Sequence, residues 1–314
     1  DNIVPDFLTL LHGVIDSPDI PLNVSRSYLQ SDKNVKMIST YITRKVADRL
    51  EEIFKEQRAQ LESKWDNIKL FIEYGLLSDQ KFGERGVSFA LLKNTDGKYF
   101  SIDEYKKAVE PNQTDKDNKV VFLYATNLQD QYSRIEQARN LGYDVLLMDC
   151  ELDSHFVNLL EQKVENCRFC RVDSDSVENL IPKQEEIKPE MSEDDKKALD
   201  DMVKGVLPAG NEYYVEARNL GEDAAPVTIT QSEFMRRFRE MSALSGGMNY
   251  YGDMPEAYNI IVNMQSPVIS RIWADRENSG TLLKQVADLA LLENGMLKGK
   301  DLADFIARSR ELLK

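Results

Sequence analysis

The residues with the clearest capacity for chemistry lie in the stretch Asp16–Gln30. Its prolines disfavour regular structure and hold the backbone extended, and a short helix is predicted at its end. Arg26 and Gln30 are four residues apart, so on a helix they share a face. A guanidinium group beside an amide suits an anionic oxygen, phosphate above all. The alternative is that Arg26 pairs with a neighbouring carboxylate, as most surface arginines do.

Cysteine and histidine residues form a second candidate site. Cys167 and Cys170 have CxxC spacing, and together with Cys150 and His155 they could assemble a zinc site. However, Cys167 and Cys170 flank or lie in a predicted strand, where an offset of three residues sends side chains to opposite faces. We therefore predict no metal site and inert thiols, and an odd number of cysteines favours a reducing compartment.

A third candidate is the segment Phe234–Met254, which is rich in methionine and aromatic residues. Such side chains adapt to many apolar partners. The members are Phe234, Met235, Phe238, Met241, Met248, Tyr250, Tyr251 and Met254, with Gly246 and Gly247 between them. Arg236, Arg237 and Arg239 are expected to keep the opposite face in solvent. The alternative is an ordinary amphipathic helix whose apolar stripe lies in the core.

Apolar periodicity predicts the elements that position these residues. Residues 35–78 are predicted to form a helical connector, in which Gly75 marks a helix end. The sequence Ser101–Glu104 is a capping box, which predicts a helix that starts near Ile102 and ends before Pro111.

Residues 79–182 are predicted to form a small three-layer αβα unit. Strands at Val120–Tyr124, Val145–Met148 and Arg168–Val172 alternate with helices at about Gln129–Leu141 and Ser154–Val164. This alternation predicts a mainly parallel sheet with right-handed crossovers. No glycine-rich phosphate loop follows the first strand, so nucleotide binding by this unit alone is not expected.

An acidic segment with prolines predicts a linker at residues 183–192, followed by an α+β domain at 193–314. Its predicted helices are Glu193–Val206, Gln231–Leu244 and Pro267–Asp275, and its predicted strands are Glu212–Ala217, Val227–Thr230 and Tyr258–Asn263. The overall fold class is therefore α/β, or α+β for the whole chain.

The chain ends in a predicted helical hairpin with a turn bracketed by Gly295 and Gly299. A hairpin with wide apolar stripes at a chain end tends to pair with its own copy, and the alternative is packing onto the same protomer. The apolar side chains are Leu282, Val286, Leu289 and Leu292 on the first helix and Leu302, Phe305, Ile306, Leu312 and Leu313 on the second.

Composition narrows the class of partner. The 314 residues carry a net charge of −14, which argues against a nucleic acid or an anionic membrane surface as the main partner. No apolar run approaches the roughly 20 residues that cross a bilayer. The first residue is Asp1 and not methionine, so we expect a piece of a longer protein.

The run Asp19–Gln30 resembles the catalytic loop in the middle segment of the 90-kilodalton heat-shock chaperones, in particular their bacterial type, high-temperature protein G. The resemblance covers nearly the whole chain, through Ile38–Ile53, Leu70–Asp79, Asn112–Asp117, Gly142–His155, Thr228–Met241 and the C-terminal helices. It implies that residues 1–182 are the later middle domain, with a catalytic loop region at 1–34, and that 193–314 are the C-terminal dimerisation domain.

The resemblance implies a cytoplasmic, ATP-dependent chaperone. ATP and Mg²⁺ would be bound by an N-terminal domain that this sequence does not contain, so we expect no cofactor and no ATP hydrolysis in the chain by itself. In the longer protein, Arg26 would reach the γ-phosphate of ATP and Gln30 would steady the loop. Ser27 and Tyr28 depart from the acidic and apolar residues of many relatives, but they only flank the matched positions.

The resemblance also implies a homodimer that binds unfolded or partly folded proteins. The methionine-rich segment would face the cleft between two protomers, and the terminal hairpins would form a four-helix bundle. His155 and Asn158 would lie on a helix that lines part of the substrate-contact surface, with His155 in the place of a bulky aromatic residue. The alternative function is a non-enzymatic dimeric scaffold whose methionine-rich helix binds one dedicated protein.

Overall fold

The computed structural model describes residues 4–8, 33–184, 189–244 and 256–312, which form a mixed α/β structure as predicted. Six residues of the predicted sites lie outside the described part: Arg26, Gln30, Met248, Tyr250, Tyr251 and Leu313. The side chains of Met241 and Leu312 lie outside it as well. No helix among the described residues is long and apolar enough to span a membrane.

The chain divides into two compact units. The first comprises Asp1–Ala108 and Met148–Glu165, and the second comprises Val109–Leu147 and Asn166–Lys314. The boundaries between these two units do not coincide with the linker predicted at residues 183–192. The division into a middle and a C-terminal domain stays a prediction.

The predicted connector at residues 35–78 consists of two helices, α1 (Lys33–Glu56) and α2 (Arg58–Ser78), and the short helix α3 (Gln80–Gly86) follows it. The prediction that Gly75 ends a helix is wrong, because α2 continues through it to Ser78. A Cβ atom at Gly75 would lie 2.6 Å from Cδ2 of Phe7 and 2.9 Å from Cδ1 of Phe82. The glycine therefore permits close packing of two aromatic rings and does not terminate the helix.

An antiparallel hairpin that the sequence analysis did not identify follows, with strands β1 (Leu91–Lys93) and β2 (Tyr99–Ser101). The turn that joins them contains Asn94, whose Oδ1 accepts the backbone N–H groups of Asp96 and Lys98. The capping box after β2 is confirmed. The Ser101 N–H donates to Oε2 of Glu104 at 2.7 Å, and the Glu104 N–H donates to Oγ of Ser101 at 3.2 Å.

Helix α4 (Ile102–Gln113) begins where the capping box predicts but contains Pro111, so its predicted end is wrong. A proline removes one backbone donor and normally ends or kinks a helix. Here the last turn is held by Gln113, which is buried. Its Nε2 donates to the carbonyl oxygen of Val121 at 2.8 Å, and its Oε1 accepts the N–H of Asp144 at 2.6 Å.

The parallel sheet is confirmed. It contains β3 (Val120–Ala125), β4 (Val145–Leu147) and β5 (Cys167–Arg171) in the order β4-β3-β5. The connections run through α5 (Tyr132–Asn140) and α6 (Asp153–Lys163). All six residues of β3 are buried, as expected for a central strand. On one of its faces, the rings of Phe122 and Tyr124 pack edge-on against Phe169 of β5.

A second three-stranded sheet lies in the C-terminal part. Its strands are β6 (Glu212–Arg218), β7 (Val227–Thr230) and β8 (Ala257–Asn263) in the order β6-β8-β7, with β8 parallel to β6 and antiparallel to β7. The helices are α7 (Glu193–Lys204), α8 (Glu233–Leu244), α9 (Pro267–Ala274), α10 (Gly280–Glu293) and α11 (Gly299–Leu312). The sheet shares one apolar core with α7, α9, α10 and α11.

Candidate functional site

Helix α8 turns three large apolar side chains toward solvent. Phe234 is 74% exposed, and Met235 and Phe238 are each 41% exposed. The rings of Phe234 and Phe238 are one turn apart and stack with their centroids 6.4 Å from each other. We call these three residues the α8 apolar surface. The alternative of a helix whose apolar stripe lies in the core does not hold for them.

The charged face of α8 is the buried one. Arg236 and Arg237 are 5% and 8% exposed, so the expectation that they lie in solvent is wrong. Both contact Glu233 at the start of the helix, where the spacings of three and four residues place them on one face. Nη2 of Arg236 and Nε of Arg237 lie 2.8 and 2.6 Å from Oε1 of Glu233. One carboxylate thus partly neutralises two buried cations.

Hydrogen bonds join this charged face to the parallel sheet. The Tyr124 hydroxyl donates to Oε1 of Glu233 at 2.7 Å and accepts from Nη2 of Arg236 at 2.6 Å. Nη2 of Arg237 donates to the carbonyl oxygen of Phe169 at 2.9 Å. We call Tyr124, Glu233, Arg236 and Arg237 the α8 anchor. Because the anchor holds the polar face of α8 against β3 and β5, the apolar face is left in solvent.

Burial and the neighbouring charges together set the charge states within the anchor. Burial alone would raise the pKa of Glu233, but the charges of Arg236 and Arg237 hold that pKa below its usual range. Burial and the Glu233 carboxylate raise the pKa of Tyr124 above its usual range. The phenol therefore stays protonated at neutral pH and remains a donor to a charged carboxylate. Buried charges are tolerated when they are paired and hydrogen-bonded in this way.

The anchor residues Tyr124 and Glu233 were not identified from the sequence. The spacing of Glu233 to Arg236 and Arg237 is a signal for intrahelical ion pairs, but such pairs usually lie in solvent. Tyr124 lies within an apolar strand and gives no polar signal of its own.

The other residues predicted to bind unfolded or partly folded proteins lie on α6. His155 and Asn158 are separated by three residues on this helix, and both are partly exposed. They belong to the first compact unit, whereas α8 belongs to the second. Their role in binding stays a prediction.

The apolar side chains of the terminal hairpin are divided between core and surface. Val286 and Phe305 are part of the core, and Leu282 and Leu302 pack against it, so the alternative of packing onto the same protomer holds for these four. Leu289, Leu292 and Ile306 are exposed, with Leu289 at 54%. We call these three residues the hairpin apolar surface.

Buried polar contacts hold the hairpin together. Asp288 of α10 is fully buried and forms ion pairs with Lys284, at 2.6 Å, and with Arg308 of α11. Nε2 of Gln285 donates to Oγ of Ser309 at 2.7 Å. These contacts fix α10 against α11 and so fix the position of the hairpin apolar surface.

The environment of the CxxC pair agrees with the prediction that its thiols are inert. Cys167 and Cys170 are both buried in β5. The Sγ atom of Cys170 lies 3.0 Å from Oγ of Ser174, and burial raises the pKa of this thiol to about 11. A protonated thiol without access to solvent is a poor nucleophile.

Comparison with known proteins identifies relatives along the whole chain. The family model described as "Hsp90 protein" matches residues 1–314. The chain is 42% identical over 381 residues to "Chaperone protein htpG" of Bacteroides fragilis (strain YCH46), covering 100% of this chain and 56% of that protein. It is 43% identical over 380 residues to "Chaperone protein HtpG" of Porphyromonas gingivalis (strain ATCC BAA-308 / W83), covering 99% and 56%.

A more distant relative is matched over a similar share of both chains. "Chaperone protein HtpG" of Rickettsia bellii (strain RML369-C) is 26% identical over 325 residues, which cover 99% of this chain and 50% of that protein. The chain thus spans about half the length of the curated relatives that it matches.

Proposed function

Because the chain belongs to the Hsp90 family, in its bacterial HtpG type, we propose that it is the part of an ATP-dependent chaperone that binds non-native proteins and forms the dimer. The observation that carries this proposal is the α8 apolar surface. Unfolded and partly folded proteins expose apolar side chains, and burial of those side chains against Phe234, Met235 and Phe238 is favourable. Flexible methionine and flat aromatic side chains impose no single sequence on the partner.

The α8 anchor supports this role because it holds the helix in place through its charged face and leaves its apolar face free to bind other proteins. An exposed apolar helix in isolation would collapse onto the nearest core, but the charged face of α8 has specific partners on β3 and β5. We propose that Met241, Met248, Tyr250 and Tyr251 extend the binding surface along the chain. His155 and Asn158 would provide a second contact surface on α6.

Replacing Phe234, Met235 and Phe238 together with serine is expected to weaken binding to several unrelated unfolded proteins alike. Full burial of one such side chain contributes about 1.5–3 kcal/mol, so each dissociation constant should rise at least about tenfold. Fluorescence anisotropy with labelled, chemically unfolded proteins would measure this change.

A matched control replaces three exposed apolar residues elsewhere, Met37, Tyr41 and Tyr132, with serine. This variant should bind as the unmodified chain does. An equal loss of binding in both variants would show that unfolded proteins adhere nonspecifically to exposed apolar side chains. If the chain binds one native protein and no unfolded ones, the dimeric scaffold is the correct function.

For the whole protein, we propose ATP hydrolysis in which Arg26 contacts the γ-phosphate and Gln30 steadies its loop. ATP and Mg²⁺ would be held by a domain upstream of this sequence. The resemblance of Asp19–Gln30 to the family's catalytic loop supports this assignment, and the absence of a phosphate-binding motif within the chain agrees with a site divided between domains.

Arg26→Ala in the full-length protein is expected to lower the rate of ATP turnover at least about tenfold, since arginines that stabilise a transferred phosphoryl group are worth roughly 10³–10⁵ elsewhere. A coupled assay of ADP release would measure it. Arg49→Ala, at a half-exposed arginine of α1, is the control and should leave turnover unchanged. Unchanged turnover in the Arg26 variant would refute the catalytic role.

We propose that the chain acts as a cytoplasmic homodimer joined through α10 and α11. The hairpin apolar surface supports this proposal, because Leu289, Leu292 and Ile306 are large aliphatic side chains exposed at the end of the chain. A two-fold axis would place each surface against its own copy. The net charge of −14 supports proteins, and not nucleic acids, as the partners.

A further inference from the structure

Two buried carboxyl groups and a thiol lie close together in the first unit. Glu73 belongs to α2, Asp153 begins α6, and Cys150 lies in the turn before α6. Glu73 and Asp153 are only 4% and 6% exposed. One donor atom from each of the three residues lies within 4.8 Å of the other two. Among the described residues, this is the group of three or more acidic, thiol or imidazole side chains that is compact enough to hold a metal ion.

Glu73 has an oxygen with no partner. Its Oε2 atom is inaccessible to water and forms no hydrogen bond. Lys69, one turn earlier on α2, forms its ion pair with Asp149 and not with Glu73. Within the described part of the chain, Glu73 takes part in no salt bridge. A buried carboxylate oxygen without a partner costs free energy, so this position favours either a bound cation or a proton.

Asp153 differs from Glu73 because it also has a structural role. Its Oδ2 atom accepts the backbone N–H of Cys150 at 2.6 Å, which fixes the turn that leads into α6. This bond holds the Asp153 carboxyl group and the Cys150 backbone in one rigid turn. Asp153 is therefore already positioned, and the second oxygen of its carboxyl group is not needed for this bond.

The donor set favours one class of cation. Zinc binds thiolate sulfur at about 2.3 Å and carboxylate oxygen at about 2.0–2.2 Å, so its tetrahedral ligands lie about 3.4–3.6 Å from one another. Reaching that spacing from separations of up to 4.8 Å requires side-chain shifts of about 1 Å. Mg²⁺ and Ca²⁺ prefer six or more oxygen ligands and do not select a thiol.

We propose that Glu73, Cys150 and Asp153 bind a divalent transition-metal ion of the zinc type, with water as the fourth ligand. Cys150 is partly exposed, so an ion can enter from its side. The bound ion links α2 to the turn before α6 and neutralises the buried carboxylates. This site is separate from the α8 apolar surface and does not depend on the proposed chaperone function.

The competing state is one in which a proton takes the place of the metal. Burial and the neighbouring Asp153 carboxylate raise the pKa of Glu73 to about 8. At pH 7 Glu73 is therefore mostly protonated, and hence neutral, without any bound ion. The experiment must therefore separate metal binding from simple protonation.

The test uses the purified chain, stripped with EDTA and then equilibrated with a small excess of Zn²⁺ at micromolar concentration. After gel filtration, mass spectrometry of the metal should find one zinc per chain. Co²⁺ in place of zinc should give a sulfur-to-cobalt charge-transfer absorption band. Zn²⁺ should also slow modification of Cys150 by a thiol reagent at least about tenfold, and this readout needs no variant.

Cys150→Ser should abolish the charge-transfer band, and the nearly isosteric Glu73→Gln should weaken zinc binding at least about tenfold. Glu151→Gln, an exposed carboxylate in the same turn, and Cys167→Ser, a thiol on β5, are the matched controls and should bind zinc as before. Circular dichroism would confirm that each variant is folded. Well below one zinc per chain, or zinc that survives both Cys150→Ser and Glu73→Gln, would overturn the proposal and leave the proton as the ligand of Glu73.

Discussion

Replacing Glu233 with alanine is expected to lower the free energy of unfolding of the chain by about 3–5 kcal/mol, the usual cost of breaking one side of a buried charge pair. The guanidinium groups of Arg236 and Arg237 would keep their charge in a buried site without their shared partner. The Tyr124 hydroxyl would lose its acceptor at the same time. Urea unfolding followed by circular dichroism would measure the change.

Glu240→Ala is the matched control on the same helix. Oε1 of Glu240 also pairs with Arg236, at 2.7 Å, but its side chain is 36% exposed, so water can replace it. Its loss is expected to cost less than about 1 kcal/mol. Tyr124→Phe should fall between the two, at about 1–3 kcal/mol, because it removes one buried hydroxyl from two hydrogen bonds. Equal losses for the Glu233 and Glu240 variants would contradict the α8 anchor.

The pH dependence of stability has a definite sign for Glu233. Its folded-state pKa is lowered from the ordinary value of 4.5, since the two arginines outweigh the effect of burial. The stabilisation is therefore fully present above pH 4.5 and is lost as the pH falls through the folded-state pKa. The Glu233→Ala variant should lack this part of the acid destabilisation.

The double variant Leu289→Lys with Ile306→Lys is expected to be a monomer in solution at micromolar concentration. In a two-fold dimer both copies carry each change, so four lysines would replace four aliphatic side chains at one interface. At about 1.5–3 kcal/mol for each buried aliphatic side chain, the dissociation constant should rise at least about 100-fold. Sedimentation equilibrium would give the mass directly.

Asp301→Lys provides the control for added charge. Asp301 is exposed on α11 and lies about 140° around the helix from Ile306, so this variant should remain a dimer. A dimeric mass for the double variant would show that the hairpin apolar surface is not the interface. A monomeric mass for the unmodified chain would contradict the proposed homodimer itself.

Elements defined by local chemistry were predicted well. The capping box of Ser101 and Glu104 set the start of α4 because both of its hydrogen bonds lie within four residues. The strand Val227–Thr230 was predicted with its observed bounds, and the three parallel strands were predicted to within two residues. In each case the signal is a short run of residues whose conformational preferences agree with one another.

Elements whose limits depend on distant partners were predicted less well. Pro111 did not end α4, because Gln113 bonds to Val121 and Asp144. Gly75 did not end α2, because its missing side chain makes room for Phe7 and Phe82. The same limitation hid the proximity of Glu73 to Cys150 and Asp153, because Glu73 is far from both in the sequence and meets them only where α2 approaches the start of α6.

The sequence by itself determined the family, the order of helices and strands, and the presence of an amphipathic helix at the position of α8. It did not determine which face of that helix is covered, because amphipathic periodicity distinguishes two faces without identifying their neighbours. The tertiary structure decided this. Glu233 neutralises the buried arginines, and Tyr124 with the Phe169 carbonyl completes their hydrogen bonds, so the charged face is covered and Phe234, Met235 and Phe238 face the solvent.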